Sequence, residues 1–278
     1  MIWVDGRIVP DQALTISVLD RTFEHGLGLF ETLRTWQGGT PLLDRHLARL
    51  RKSAKALGLP LETSALPDLA AVTQLLEANG HVGDAALRLT LTGGVSDAAG
   101  ATLWMRSAPL PPSMITGPGA VVDFGSWWVD PNDPLLRHKT LNYWRRRSAY
   151  QDARERGFDE ILSVSAGLNL WEGSRTNLFF VAGNELVTPA LDGPIVPGIM
   201  RELVLELAPS SALEIREVTN LEPNDLQDAS EVFLTNSVRG VIPVARLGDL
   251  SWDVPGGPRT VRLKSLLSEW LNEGGTTS

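Results

Sequence analysis

Leu43, Leu47, Leu50, Ala54 and Leu57 recur at steps of three and four, the period that lines one face of a helix, and Gly58 follows where such a helix would stop. Similar patterning predicts helices over 67–79, 144–156, 200–207 and 259–271, with a shorter one over 221–228. Alternating or β-branched runs predict strands over 2–4, 7–9, 28–36, 85–91, 121–124, 160–164, 177–181, 185–188, 213–218 and 231–235. Asp5-Gly6 between the first two is a two-residue hairpin signal, and Gly167-Leu168-Asn169 marks a second hairpin. Proline and glycine crowd residues 108–119, a composition suited to a stiff connector rather than an element. Helices and strands mix on both sides of it. The expected fold is therefore α+β in two domains, a small N-terminal one over 1–107 and a large C-terminal one over 120–278, joined by the linker 108–119.

Composition narrows the function. With 278 residues, 43% of them hydrophobic, the chain can bury a substantial core. A net charge of -8 with no basic tract argues against a nucleic-acid partner. The absence of cysteine removes disulfides, thiol nucleophiles and Cys-ligated metals, and histidines at 25, 46, 81 and 138 lack metal-ligand spacing, so no metal is expected. The first residues carry no secretory pattern and no apolar run is long enough to span a bilayer, so a cytoplasmic protein without membrane contact is expected. Gly26-Leu27-Gly28 lacks the third glycine and the βαβ setting of a dinucleotide site, and there is no Walker sequence or Gly-x-Ser-x-Gly elbow.

Five places can carry chemistry. Only four of the 25 cationic residues are lysines, and Lys139 stands apart from the other three, directly after Arg137 and His138. An amine crowded by cations loses its proton more readily and can then form a Schiff base; the plain alternative is a solvated lysine before a helix. Glu172 sits in a bend of small polar residues, either buried with a cationic partner or as a surface turn residue. Pro197-Gly198-Ile199-Met200 runs into a helix whose first amides suit an anion, or it is an ordinary helix entry. Thr235-Asn236-Ser237 ends a strand with several donors, suited to phosphate or simply to a polar exit. His46 and Arg49 share a side of the leucine-striped helix, where Arg49 could reach a phosphate or both could be solvated.

Together and in this order, these segments resemble the fold-type IV pyridoxal-phosphate enzymes, with a D-amino-acid aminotransferase-like fold. The matching stretches are Asp20 through Arg34, His46 through Leu50, Lys139-Thr140-Leu141-Asn142, Glu172 through Phe179, Pro197 through Arg201, and Thr235-Asn236-Ser237 with Pro243-Val244. The resemblance implies pyridoxal 5'-phosphate as cofactor, bound mainly by the C-terminal domain. It makes Lys139 the catalytic lysine that bonds the cofactor and shuttles the proton. It makes Glu172 the partner of the pyridine nitrogen, and Arg49, the Ile199 and Met200 amides and Ser237 the phosphate cup. Tyr143 falls near the ring hydroxyl, at a spacing from Lys139 closer to the D-amino-acid and lyase branches than to the branched-chain one, and Asn177 joins the cofactor set.

On the substrate side the resemblance places Phe30, where the D-amino-acid branch has a tyrosine, with His25, Arg34 and Val238. The implied reaction is amino transfer between an amino acid or amine and a 2-oxo acid, in a homodimer whose partner loop helps close the site. Lys139-Thr140-Leu141-Asn142 and Thr235-Asn236-Ser237 also suit an aminodeoxychorismate lyase, which eliminates pyruvate. The loop from Gly93 to Gly100 matches no branch, which leaves a non-catalytic metabolite-binding protein on the same scaffold as a further alternative.

Overall fold

The structure is a computed structural model, and it describes every residue except 82, 111–116, 118, 126–128, 166, 253–255 and 275–278. The chain forms two compact units. The first contains Met1–Pro111, His138–Asn142 and Leu271–Ser278 and the second Pro112–Arg137 and Tyr143–Trp270, as far as those residues are described. The α+β class matches the expectation, but the division of the chain differs. Ala108 and Pro109 finish a strand, and the stretch around Lys139, expected in the C-terminal domain, belongs to the first unit. Most of the expected linker, residues 111–116 and 118, lies outside the described residues.

In the first unit, β1 (Ile2–Val4), β2 (Arg7–Val9), β3 (Gly28–Arg34), β4 (Ala85–Thr92) and β5 (Leu103–Pro109) form an antiparallel sheet in the order β2-β1-β5-β4-β3. Asp5 and Gly6 both have positive φ, as a two-residue hairpin turn between twisted strands requires. Three helices accompany the sheet: α1 (Arg21–His25), α2 (Leu43–Ala56) and α3 (Leu69–Ala78). Leu43, Leu47, Leu50 and Ala54 of α2 pack on Leu29 and Leu33 of β3 and on Leu87, Leu89 and Leu91 of β4. Each fully buried leucine contributes about 2 kcal/mol. Two elements of this unit go beyond the sequence expectation, as the strands Gly240–Leu247 and Leu250–Ser251 do in the second. The five-residue α1, capped by the Asp20 side chain on the Thr22 amide, is too short to show a period. The strand β5 alternates buried Leu103 and Met105 with less buried neighbours but runs into the proline-rich stretch that masks its end.

The second unit contains β6 (Ala120–Phe124), α4 (Trp144–Glu155), β7 (Glu160–Val164), β8 (Leu170–Gly173), β9 (Asn177–Ala182), β10 (Glu185–Pro189), α5 (Ile199–Leu207), β11 (Glu214–Val218), β12 (Glu231–Asn236), β13 (Gly240–Leu247), β14 (Leu250–Ser251) and nearly all of α6 (Pro258–Asn272). Its strands run β11-β10-β9-β12-β13-β6-β7-β8, and β8 also pairs with β9 through Glu172 and Asn177. The strands from β9 to β8 thus close on themselves like a small barrel, filled by Val122, Leu162, Leu178, Phe180, Val232, Leu234 and Ile242. Phe179 of β9 stacks on Phe233 of β12, with ring centroids 5.1 Å apart. The expected helix over 221–228 is a 3-10 turn over Pro223–Asp228. Among the described residues, no helix is long and apolar enough to cross a membrane.

Candidate active site

Lys139 is fixed by the backbone before its side chain is considered. The Phe30 N–H donates to the Lys139 carbonyl at 2.9 Å and the Leu141 N–H donates to the Gly28 carbonyl at 3.0 Å. Residues 139–141 therefore run antiparallel along the outer edge of β3, with Thr140 opposite Leu29. Glycine is required at 28 because φ is +139° and a Cβ there would meet both the Leu141 side chain and the Leu91 carbonyl at 2.6 Å. The Lys139 ammonium lies over the Phe30 ring, 4.5 Å from its centroid, and the Arg88 guanidinium lies over the same ring at 3.9 Å. The two cations that precede Lys139 in sequence have other partners: Arg137 donates to the Asp192 carbonyl, and His138 Nδ1 is 2.9 Å from Ser53 Oγ. To the Lys139 amine itself the fold brings an aromatic face from β3.

On the opposite face of β3, Glu31 lies between Leu29 and Leu33 against α2. Arg49 clamps its carboxylate with both Nε, at 2.8 Å to Oε1, and Nη2, at 2.5 Å to Oε2. His46 Nδ1 is 2.8 Å from Oε2. Burial pushes the Glu31 carboxyl up, but Arg49 and the His46 bond outweigh it and hold it at about 2. For His46, burial is the main effect and holds the imidazole pKa down, with the charges of Arg49 and Lys139 acting the same way against Glu31. A neutral ring then donates through Nδ1, which leaves Nε2 buried with no hydrogen-bond partner among the described residues. His46 is 0% exposed and Arg49 is paired with buried Glu31, so the reading of His46 and Arg49 as solvated helix residues is overturned: α2 carries a neutral imidazole and a guanidinium to Glu31.

The second unit builds a site around Glu172, at 2% exposure a core residue rather than a surface turn residue. Arg146 donates to its Oε1, while Oε2 accepts from Asn177 Nδ2 at 3.2 Å and from the Val196 N–H at 3.1 Å. The turn after it is held by buried Glu160, which accepts from the Ser174 N–H at 3.1 Å, the Ser174 hydroxyl, the Arg175 N–H at 3.3 Å and the Thr176 hydroxyl at 3.2 Å. The Tyr143 hydroxyl donates to the Ser174 carbonyl at 2.8 Å, and burial pushes its pKa up. Tyr143, Glu172 and Asn177 are thereby brought into one network.

Asn177 extends that network to α5. Its Nδ2 also donates to the Val196 carbonyl at 3.0 Å, and a Cβ at Gly198 would collide with its Oδ1. Gly198 caps α5, so Ile199 and Met200 present first-turn amides that have no carbonyl partner within the helix. In the hairpin between β12 and β13, Asn236 Oδ1 accepts from the Val238 and Arg239 amides at 3.0 and 2.8 Å, with half-buried Ser237 between them. Thr235, 1% exposed, has a buried hydroxyl with no partner among the described residues. A buried hydroxyl of this kind calls for an acceptor.

Of the expected site residues, Lys139, Phe30, Arg49, Arg34 and His25 belong to the first unit, and Tyr143, Glu172, Asn177, Ile199, Met200, Ser237 and Val238 to the second. Arg34 does meet a carboxylate, but it is that of Asp84, and its guanidinium also lies 4.0 Å from the centroid of the Trp36 ring. His25 is exposed at the end of α1, 3.8 Å from Glu24. Glu31, Arg88, Arg146 and Glu160 escaped the sequence reading. Two carried a signal: Glu31 interrupts an apolar strand, and Arg88 interrupts the leucines of β4. Arg146 is flanked by two other arginines and Glu160 opens a strand, so nothing distinguished them.

The profile of the family described as "Amino-transferase class IV" matches residues 28–247. The chain is 31% identical over 254 residues to a Methanocaldococcus jannaschii protein provisionally named a branched-chain-amino-acid aminotransferase, covering 87% of this chain and 86% of that one. It is 29% identical over 277 residues to the aminodeoxychorismate lyase of Bacillus subtilis, covering 96% and 93%. Among solved structures, a T.th. branched-chain amino acid aminotransferase complexed with N-(5'-phosphopyridoxyl)-L-glutamate superimposes with a TM-score of 0.86 at 25% identity, covering 98% of this chain and 94% of that one.

Proposed function

We propose, for a chain that belongs to the class IV aminotransferase family, that pyridoxal 5'-phosphate is the cofactor and that Lys139 is the residue that bonds it and moves the proton. The observation that carries this reading is the placement of Lys139: its backbone is locked onto the edge of β3 while its amine rests on the Phe30 ring. The residues present also fit the cofactor. A buried carboxylate, a helix start with outward amides and an unsatisfied buried threonine hydroxyl are the groups that a ring nitrogen and a phosphate require.

When bound, the cofactor supplies an electron-withdrawing ring that makes a substrate Cα–H bond acidic. Lys139 Nζ would accept that Cα proton and later release it, the proton movement that transfer of the amino group requires. Glu172 would accept from the ring nitrogen, and Tyr143 would serve the ring hydroxyl. The Ile199 and Met200 amides, Ser237 and Thr235 would donate to the phosphate, a role the family pattern also gives to Arg49. Asn177 keeps Glu172 in register with the start of α5. Phe30 and Arg88, which share a cation–ring contact, would serve the substrate side, with Arg88 suited to a carboxylate, and the family pattern adds Val238. The substrates are an amino acid or amine and a 2-oxo acid. The working form is a cytoplasmic homodimer.

Purified protein is expected to be yellow, and Lys139→Ala to lose both that absorbance and turnover. A colourless wild type that cannot be reconstituted with the cofactor would overturn the reading. A second reading, aminodeoxychorismate lyase, is favoured by the likeness to the Bacillus subtilis enzyme along nearly the whole chain. Release of pyruvate from aminodeoxychorismate without a 2-oxo acid acceptor separates the two.

A further inference from the structure

Arg146 lies between Arg145 and Arg147 on α4, yet those two are exposed and Arg146 is 8% exposed. Its guanidinium is the charge partner of Glu172 Oε1 and also donates to the Gly173 carbonyl at 3.4 Å and the Leu136 carbonyl at 3.5 Å. Neutral donors, Asn177 and the Val196 amide, hold the other carboxylate oxygen. A carboxylate facing a ring nitrogen needs no second cation to be held in place, since backbone and amide donors already orient it.

We propose that Arg146 is a positioning residue that lowers the basicity of Glu172 toward the cofactor's ring nitrogen, so that the nitrogen is held by a carboxylate already partly neutralised. This rests on the reading of Glu172 given under Proposed function. A guanidinium bonded to one carboxylate oxygen withdraws charge from both, and its field disfavours protonation of neighbouring groups. Among the described residues, Tyr143 at the start of α4 and Glu160 of β7 act on Arg146, and Arg175 in the turn acts on Tyr143. Burial opposes the Arg146 charge, but Glu172, Tyr143 and Glu160 outweigh it and push its pKa up, so Arg146 stays charged throughout a titration near neutrality.

The test is a visible-absorbance titration of holoenzyme, with cofactor retention and thermal melting measured on the same samples. In Arg146→Gln the pH midpoint of the absorbance change is expected to rise by about one unit, because Glu172 freed of its guanidinium partner turns more negative charge toward the ring and favours protonated forms. Arg146→Lys, which keeps the charge but not the planar fork, is expected to move the midpoint the same way by less, and it serves alone if the glutamine variant does not fold. Adding Arg146→Gln to a Glu172→Gln background is expected to cause no further shift. A folded, cofactor-loaded Arg146 variant with an unmoved midpoint overturns the proposal, as does a further shift in the Glu172→Gln background. If Glu172→Gln itself leaves the spectrum unchanged, the reading of Glu172 fails as well; if it changes the spectrum while Arg146 variants do not, only the role of Arg146 fails.

Discussion

Lys139 and Phe30 touch twice: the Phe30 amide donates to the Lys139 carbonyl at 2.9 Å, and the Lys139 ammonium lies 4.5 Å from the centroid of the Phe30 ring. One contact fixes the main chain and the other orients the amine. Phe30→Leu keeps the strand and most of the volume but removes the aromatic face, a contribution of about 1 kcal/mol to the placement of the cation. It is expected to lower kcat several-fold with little change in melting temperature. Phe30→Ala is expected to cost about 3 kcal/mol of stability in addition, measured by denaturant unfolding.

Gly28→Ala tests the backbone clamp separately. A methyl group there strikes Leu141 and the Leu91 carbonyl, at a φ that alanine rarely adopts. The 139–141 strand is expected to lift from β3, with faster hydrogen exchange at the Phe30 and Leu141 amides and a large loss of turnover. Unchanged exchange at both amides would count against the clamp.

Acid stability should report Glu31 and His46. The Glu31 carboxyl is held at about 2 in the fold against an ordinary value of 4.5. Its contribution is therefore full above pH 4.5 and is lost as the pH falls towards 2, an effect on the order of 3 kcal/mol. His46 acts in the same direction from a higher pH, since its pKa is held below 6.5 and protonation below that value favours the unfolded chain. Glu31→Gln is expected to flatten the acid limb of unfolding between pH 4.5 and 2. At neutral pH it should cost about 3 kcal/mol or more, because Arg49 is left without its carboxylate.

Glu160 holds the turn after Glu172 through backbone amides and hydroxyls from Ser174 to Thr176. Glu160→Gln cannot accept all of these bonds and is expected to cost about 2 kcal/mol. The cofactor should dissociate faster from this variant, read by the loss of visible absorbance on dilution, while Glu160→Asp recovers part of the effect.

Local chemistry was legible in the sequence wherever the deciding contact is close along the chain. The α2 stripe, the Asp5-Gly6 hairpin and the glycine before α5 follow from periodicity, positive φ and helix capping. Lys139, Glu172 and Tyr143 stood out through their motifs. The strand β5 was hidden because its alternation ends in proline-rich sequence, and Arg146, between two other arginines, looked like either of them.

The sequence by itself determined most of the helices and strands, the family and the residue types available for chemistry. Tertiary structure decided which of those residues share an environment. It set Phe30 at the Lys139 segment, drew Arg49 onto Glu31, and set Arg146 against Glu172. Each pair is far apart in the chain or lies on a face chosen by strand register and helix packing. Their electrostatics follow from burial and through-space distance, which exist only once the sheets and helices have packed.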